Sequence, residues 1–117
     1  MPPEKVLKFL LEFKQVATSG SGVDIVPRQE TRPTLLELGL TKANLEEIVL
    51  GLSVADYCKG PDADRDRPGE IWVFGRKIKE REVYIKIKVA QVEGKHIAKC
   101  LSFHFAQHPM KFPVRSF

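Results

Sequence analysis

Tyr84, Lys86 and Lys88 alternate along the segment EVYIKIKV, and the residues between and around them, Val83, Ile85, Ile87 and Val89, are all apolar. On a β-strand that alternation sends the polar set to one face and the apolar set to the other. The later segment CLSFHF repeats the pattern, with Cys100, Ser102 and His104 expected on one face and Leu101, Phe103 and Phe105 on the other. Lys59 closes a helical stretch at the start of a polar loop, and Arg76 and Lys77 end the strand-like run before Tyr84. Tyr, Lys, Arg and His on one concave face are what RNA cleavage needs when no metal takes part. The 2′-hydroxyl must lose a proton, the leaving 5′-oxygen must gain one, and the crowded phosphate must be met by cations. His104 suits acid or base work, because an ordinary imidazole titrates near neutrality. Tyr84 suits stacking on a base or proton donation. Arg76, Lys77, Lys86 and Lys88 suit phosphate binding. The same pattern also describes a solvated strand face with ordinary solubilising charges.

Other constellations fail on their chemistry. Asp62-Ala63-Asp64-Arg65-Asp66 opens like a calcium loop, but Arg67 stands where the sharp turn needs Gly, and Val73 where the bidentate Glu belongs. His104 and His108 are four apart, yet the position after His104 is Phe105, and the segment reads as strand rather than the helix a zinc-protease motif requires. No glycine cluster has the spacing of a phosphate-cradling loop. Neither a metal nor another cofactor is expected. Cys58 and Cys100 are too few for a disulfide framework or a zinc site, and a reducing cytoplasm is the expected setting.

The chain has 117 residues, 43% hydrophobic and 29% charged, which suits one globular domain and argues against disorder, collagen or coiled coil. No apolar run reaches the roughly 20 residues of a membrane-spanning helix. Glu12 and Lys14 interrupt the N-terminal apolar stretch too early for a secretory signal. The net charge of +4 is uneven: residues 1–58 carry 6 Lys/Arg against 8 Asp/Glu, whereas residues 59–117 carry 13 against 7. A basic half points to an anionic partner, nucleic acid first.

The elements that must position these residues follow from periodicity. Val6, Leu10, Phe13 and Ala17 predict a helix over Pro3–Thr18, ended by Ser19-Gly20-Ser21-Gly22, so that residues 1–22 form an N-terminal helix and linker. Val23–Pro27 reads as a short edge strand. Thr31–Leu40 predicts a short helix capped by Thr31 or Thr34 and stopped by Gly39, and Thr41 opens another with Leu45, Ile48, Val49 and Leu52 inward. Ser53 and Asp56 have the offset of a capping box. Lys59–Glu70 reads as a polar loop. Three strands follow, Ile71–Lys77, Glu82–Ala90 and His96–Ala106, with Glu93-Gly94 as a hairpin turn. Residues 107–117 form a tail outside the sheet. The expected fold is α+β, a single domain with helices packed on one face of an antiparallel sheet.

The words IVLGLSVADYCKG, IWVFG, EVYIKIKV and LSFHFA, in that order, resemble the MqsR family of bacterial toxins, over about Leu38–Ala106. The resemblance implies a RelE-like fold and the activity of a messenger-RNA interferase of a type II toxin–antitoxin system, an endoribonuclease with sequence preference and no metal. It implies a cognate antitoxin protein as partner, beside mRNA as substrate. Lys59 matches a lysine of the family's active site, and Tyr84 matches its tyrosine. His104 stands where the best-known member has a lysine, and Val73 where it has a glutamine. The link from Trp72 to Tyr84 is two residues shorter than in that member, and the tail from Gln107 extends beyond its end.

Two other functions use the same residues. A non-catalytic RNA- or DNA-binding module needs only the lysines. A partner-binding protein that adds a strand to its sheet edge needs neither Tyr84 nor His104.

Overall fold

Helix α1 spans Pro3–Ser19 in the computed structural model, which describes residues 1–115; of the tail expected at 107–117, Ser116 and Phe117 lie outside the described residues. Pro3 sits in the first turn, where a missing N–H costs nothing. Val6, Leu10, Phe13 and Ala17 form its buried stripe, as their spacing predicts. A short strand β1 (Val23–Ile25) follows, then α2 (Thr31–Leu38) and α3 (Lys42–Leu50). Neither expected threonine caps α2: Thr31 is already helical, and the Thr34 hydroxyl donates back to the Glu30 carbonyl. Gly39 stops α2 at φ 70°, a left-handed conformation that favours glycine. Thr41 caps α3 through a reciprocal bond with Asn44. Ser53 and Asp56 close the expected capping box around a 3₁₀ turn, Val54–Asp56.

The remaining chain is sheet: β2 (Tyr57–Ala63), β3 (Glu70–Ile78), β4 (Arg81–Val92) and β5 (Lys95–Phe105). The three strands read from the sequence are all present, and Glu93-Gly94 makes the β4–β5 turn with both residues at positive φ. The sheet order is β1-β5-β4-β3-β2. Pairing is antiparallel except at the edge, where β1 runs parallel to β5. The sheet is therefore mixed, not wholly antiparallel, because the chain crosses over by α2, α3 and three more strands before β5 returns beside β1.

The first half of the expected loop at Lys59–Glu70 is strand β2. Gly60-Pro61 makes it read as loop, but β2 is an edge strand with two register shifts, the positions where a sheet tolerates Gly and Pro. Gly60 has φ 112°, and a Cβ there would lie 2.7 Å from the Ile71 carbonyl oxygen, so the edge approaches β3 too closely for any other residue.

The helices cover one face. Val6, Leu10 and Phe13 of α1, Leu35 and Leu38 of α2, and Leu45 and Val49 of α3 pack with Phe74, Val83, Ile85, Ile87 and Phe103 of the sheet. Phe9 stacks on Trp72 with ring centroids 4.6 Å apart. A bulge in β5 corrects the expected faces. Lys86 pairs with Ser102, but Ile87 pairs with Cys100, leaving Leu101 as the extra residue. Cys100 and Ala98 therefore join the helix-side core, while Leu101 lies on the opposite face. Phe103 and Phe105 keep the helix side.

Lys88 has the expected polar-face parity but is buried, at 2% exposure. Its ammonium donates to Asp64 Oδ2 at 2.7 Å and to the Pro68 carbonyl at 3.0 Å, pinning the β2–β3 loop over the sheet. The Lys88 hydrogen bond and two backbone N–H donors hold the Asp64 carboxyl below its ordinary value of 3.8, at about 2. A carboxylate with a depressed folded-state pKa contributes stability above its unfolded value and loses it as pH falls through the folded one. The pair should therefore stabilise fully above about pH 4 and fail toward pH 2. Asp64→Asn should cost roughly 2–3 kcal/mol at neutral pH, less than for a fully buried pair because the carboxylate keeps some water. Urea titrations across pH should show the wild-type advantage over Asp64→Asn shrinking between pH 4 and 2; a constant difference would disprove the linkage.

Candidate active-site cleft

The helix-free face of the sheet carries two adjacent rows set by strand register. Gly75, Tyr84 and His104 are cross-strand partners in one row, and Lys59, Val73, Lys86 and Ser102 in the next. Successive same-face residues on a strand are about 7 Å apart, and neighbouring strands about 5 Å. The register thus brings Lys59, Tyr84, Lys86 and His104, which are far apart in sequence, within one small area. They line a common cleft of about 570 Å³ together with Cys58, Ser102 and the tail residues His108, Pro109, Met110 and Lys111. Val73 is short, apolar and buried between Lys59 and Lys86 in that row. Neither lysine has an acidic partner among the described residues.

The rings of Tyr84 and His104 stack at 4.9 Å and 12°. His104 Nδ1 lies 2.9 Å from the Phe105 carbonyl oxygen. A carbonyl only accepts, so Nδ1 carries the hydrogen and Nε2 is the nitrogen left for proton exchange. Burial, with smaller contributions from Cys58 and Asp62, raises the Tyr84 phenol above its ordinary range, so it stays un-ionised and keeps a proton to donate. Lys86 Nζ lies 6.0 Å from the Tyr84 ring centroid. The cleft thus combines an oriented imidazole, a neutral phenol and two unpaired ammonium groups.

Arg76 and Lys77 lie elsewhere, and Lys88 lines the adjoining groove rather than the cleft. Arg76 points to the helix side, where its Nη2 donates to Asp56 Oδ2 and the Gly51 carbonyl, both at 2.7 Å, and ties the 3₁₀ turn to β3. Lys77 is exposed and lines no part of the cleft. Lys88 is buried and committed to Asp64. Other basic residues, which sequence reasoning did not select, lie nearer the cleft. A second groove of about 850 Å³ shares Lys59, Tyr84 and Lys86 with the cleft and adds Arg28, Arg65, Arg67 and Lys99. Arg65 and Arg67 were hidden in the polar loop; the signal that could have found them is their position on the one loop that must fold back over the sheet. A third concavity, about 990 Å³, lies between the end of α1, β1 and β5, away from these residues. Among the described residues no three His, Cys, Asp or Glu side chains gather as a metal site.

Comparison with protein-family models, curated proteins and solved structures finds no match to this chain.

The two thiols differ in environment. Cys58 is half-buried at the cleft wall, whereas Cys100 is 1% exposed and its thiol is pushed up to about 12 by burial. A small thiol reagent at neutral pH should modify Cys58 in the native protein and Cys100 only after unfolding; equal rates measured by mass spectrometry would contradict the β5 bulge that turns Cys100 inward.

Proposed function

We propose that this protein is an RNA-cleaving toxin of the MqsR type within the RelE-like fold, a metal-independent endoribonuclease acting on mRNA in the cytoplasm and held in check by a cognate antitoxin protein. The observation that carries the reading is the convergence of Lys59, Tyr84, Lys86 and His104 on one cleft. A binding module needs cations alone and gains nothing from an imidazole whose free nitrogen is set by a backbone carbonyl. The α+β architecture, with helices on one face and an open basic face on the other, supports the same reading. Among the described residues no helix is long and apolar enough to cross a membrane.

The chemistry proceeds by in-line displacement. His104 Nε2 takes the proton of the 2′-hydroxyl as the 2′-oxygen bonds to phosphorus. The bond from phosphorus to the 5′-oxygen breaks, and that oxygen takes a proton from the Tyr84 phenol, since an alkoxide is far more basic than a phenolate. Solvent restores Tyr84 and relieves His104. Lys59 and Lys86 flank the non-bridging oxygens, whose charge grows in the transition state. The products are a 2′,3′-cyclic phosphate and a 5′-hydroxyl.

Purified protein should cleave mixed-sequence RNA in the presence of EDTA and leave those end groups. His104→Ala should slow the chemical step by about 10²–10⁴-fold. Lys59→Ala should also lose rate, and both variants should stay folded, since neither side chain lies in the core and His104→Ala gives up only a surface ring stack and one hydrogen bond. Full activity in His104→Ala would remove its proton-transfer role. Salt-sensitive RNA binding without cleavage or growth arrest would favour the binding module. In either case Lys86→Gln should flatten the dependence of log affinity on log salt by about 0.7 if Lys86 meets a phosphate of a single strand.

A further inference from the structure

The segment after β5 does not leave the sheet. Ala106 donates its N–H to the Glu82 carbonyl at 2.9 Å, and the chain then crosses the helix-free face above β4 and β3. Met110 and Phe112 rest on Gly75: a Cβ there would lie 2.6 Å from Met110 Sδ and 3.1 Å from Phe112 Cε1. Gly75 is the cross-strand partner of Tyr84, so the crossing segment occupies the reacting row itself. The far end is fastened beside β2, where Arg115 Nε donates to the Ala55 carbonyl at 3.0 Å and its guanidinium lies 3.7 Å over the Phe112 ring. Val114 packs against the core. Residues 106–115 thus form a strap from one side of the sheet to the other, and Lys77 lies on the far side of the strand position it covers.

On the other side of Tyr84 the β2–β3 loop folds over the face at Lys88, and a groove runs beside it. The groove continues past Lys86 along β4 as far as Ala90, about 20 Å at the rise of a strand. Its lining there includes the apolar Val73, Ala90 and bulged Leu101 around the buried, paired Lys88. Its wall is the β2–β3 loop, which the Lys88–Asp64 pair holds in place and which carries Arg65 and Arg67, without an ion-pair partner among the described residues, beside Asp62 and Asp66. Apolar lining beside cations suits unstacked bases beside their phosphates. A duplex, whose bases are paired and stacked inside it, presents no such bases.

We infer that the cleft takes single-stranded RNA from one side only: the strap makes the reacting end blind, and a few nucleotides on one flank of the cleaved bond lie along the groove between Lys86 and the Arg65–Arg67 loop. This inference rests on the ribonuclease reading. It assigns a role in flank binding to Arg65, Arg67 and Leu101, and a role in excluding the other flank to Met110 and Phe112.

The test uses the full chain and a set of RNAs that share one cleaved junction, with the two flanks lengthened separately. Lengthening one flank should raise kcat/KM several-fold, mainly through KM, and the same lengthening of the other should leave it unchanged. Arg65→Gln with Arg67→Gln should remove most of that gain. Phe112→Ala with Met110→Ala should open the blind end, so that the second flank also becomes favourable; circular dichroism checks that the fold persists. Equal gains on both flanks of the wild type, or equal cleavage of a duplex bearing the junction, overturns the one-sided groove while leaving the ribonuclease reading intact. Absence of cleavage on every RNA overturns the ribonuclease reading, and the groove assignment falls with it.

Discussion

One extra residue in β5 decides what each face of the sheet contains. Because side chains alternate along a strand, an unbroken β5 would put either Ala98 and Cys100 or Phe103 and Phe105 in water. The bulge at Leu101 resets the count between them, so both apolar sets face the helices. The same reset fixes Ser102 and His104 beside Lys86 and Tyr84 on the open face. The residue that absorbs the shift is itself held. The Cys100 carbonyl accepts from Val26 N–H at 3.0 Å, and the Leu101 carbonyl accepts from Arg28 Nε at 3.0 Å. The link after β1 therefore satisfies the backbone groups that a bulge leaves without ladder partners. Helix packing and cleft geometry are two consequences of one local irregularity.

The basic residues divide by whether an acid lies beside them. Arg76 and Lys88 are paired with Asp56 and Asp64, and Lys99 lies 3.6 Å from Asp24. These pairs tie a turn, a loop and an edge strand to the sheet. A buried ammonium is costly unless paired and hydrogen-bonded, which Lys88 is, twice. Lys59, Lys86, Arg65 and Arg67 lack such partners among the described residues, and all four line the connected grooves. The positive charge of the C-terminal half thus becomes a surface feature only where the structure leaves it uncompensated.

Much of this was legible in the sequence, because it rests on local periodicity. The stripe of α1, the alternation in β4, the Glu93-Gly94 turn and the capping box at Ser53 and Asp56 each depend on a few neighbouring residues. That Tyr84 and His104 each lie on the polar side of their own strand was legible too, but their pairing was not, since an unbroken hairpin from Glu93-Gly94 would set Tyr84 opposite Phe103. What stayed hidden depends on distant partners. The Leu101 bulge exists because of β4 and the link after β1, not because of any motif in β5. β2 is recognisable only once β3 is beside it, since its own Gly60-Pro61 argues against a strand. Lys88 and Lys86 are indistinguishable in an alternating pattern; only the returning loop, which delivers Asp64 to one and not the other, separates them.

The strap shows how the same limit reaches function. Pro109 and Pro113 bar the tail from a central strand, and that much follows from sequence. Its path across the open face requires an absent side chain at Gly75 on β3 and a fastening at Ala55 and Asp56 before β2. Those two requirements lie in segments with no sequence relation to the tail. Gly75 also partners Tyr84, so the residue that admits the strap lies in the same cross-strand row as Tyr84 and His104. A Cβ at Gly75 would press on the Met110 thioether and the edge of the Phe112 ring, and both would have to shift along the wall of the cleft that holds His108 and Lys111. The cleft is therefore enclosed by an arrangement in which backbone room on β3, aromatic and thioether bulk on the tail, and a guanidinium anchored at the 3₁₀ turn depend on one another.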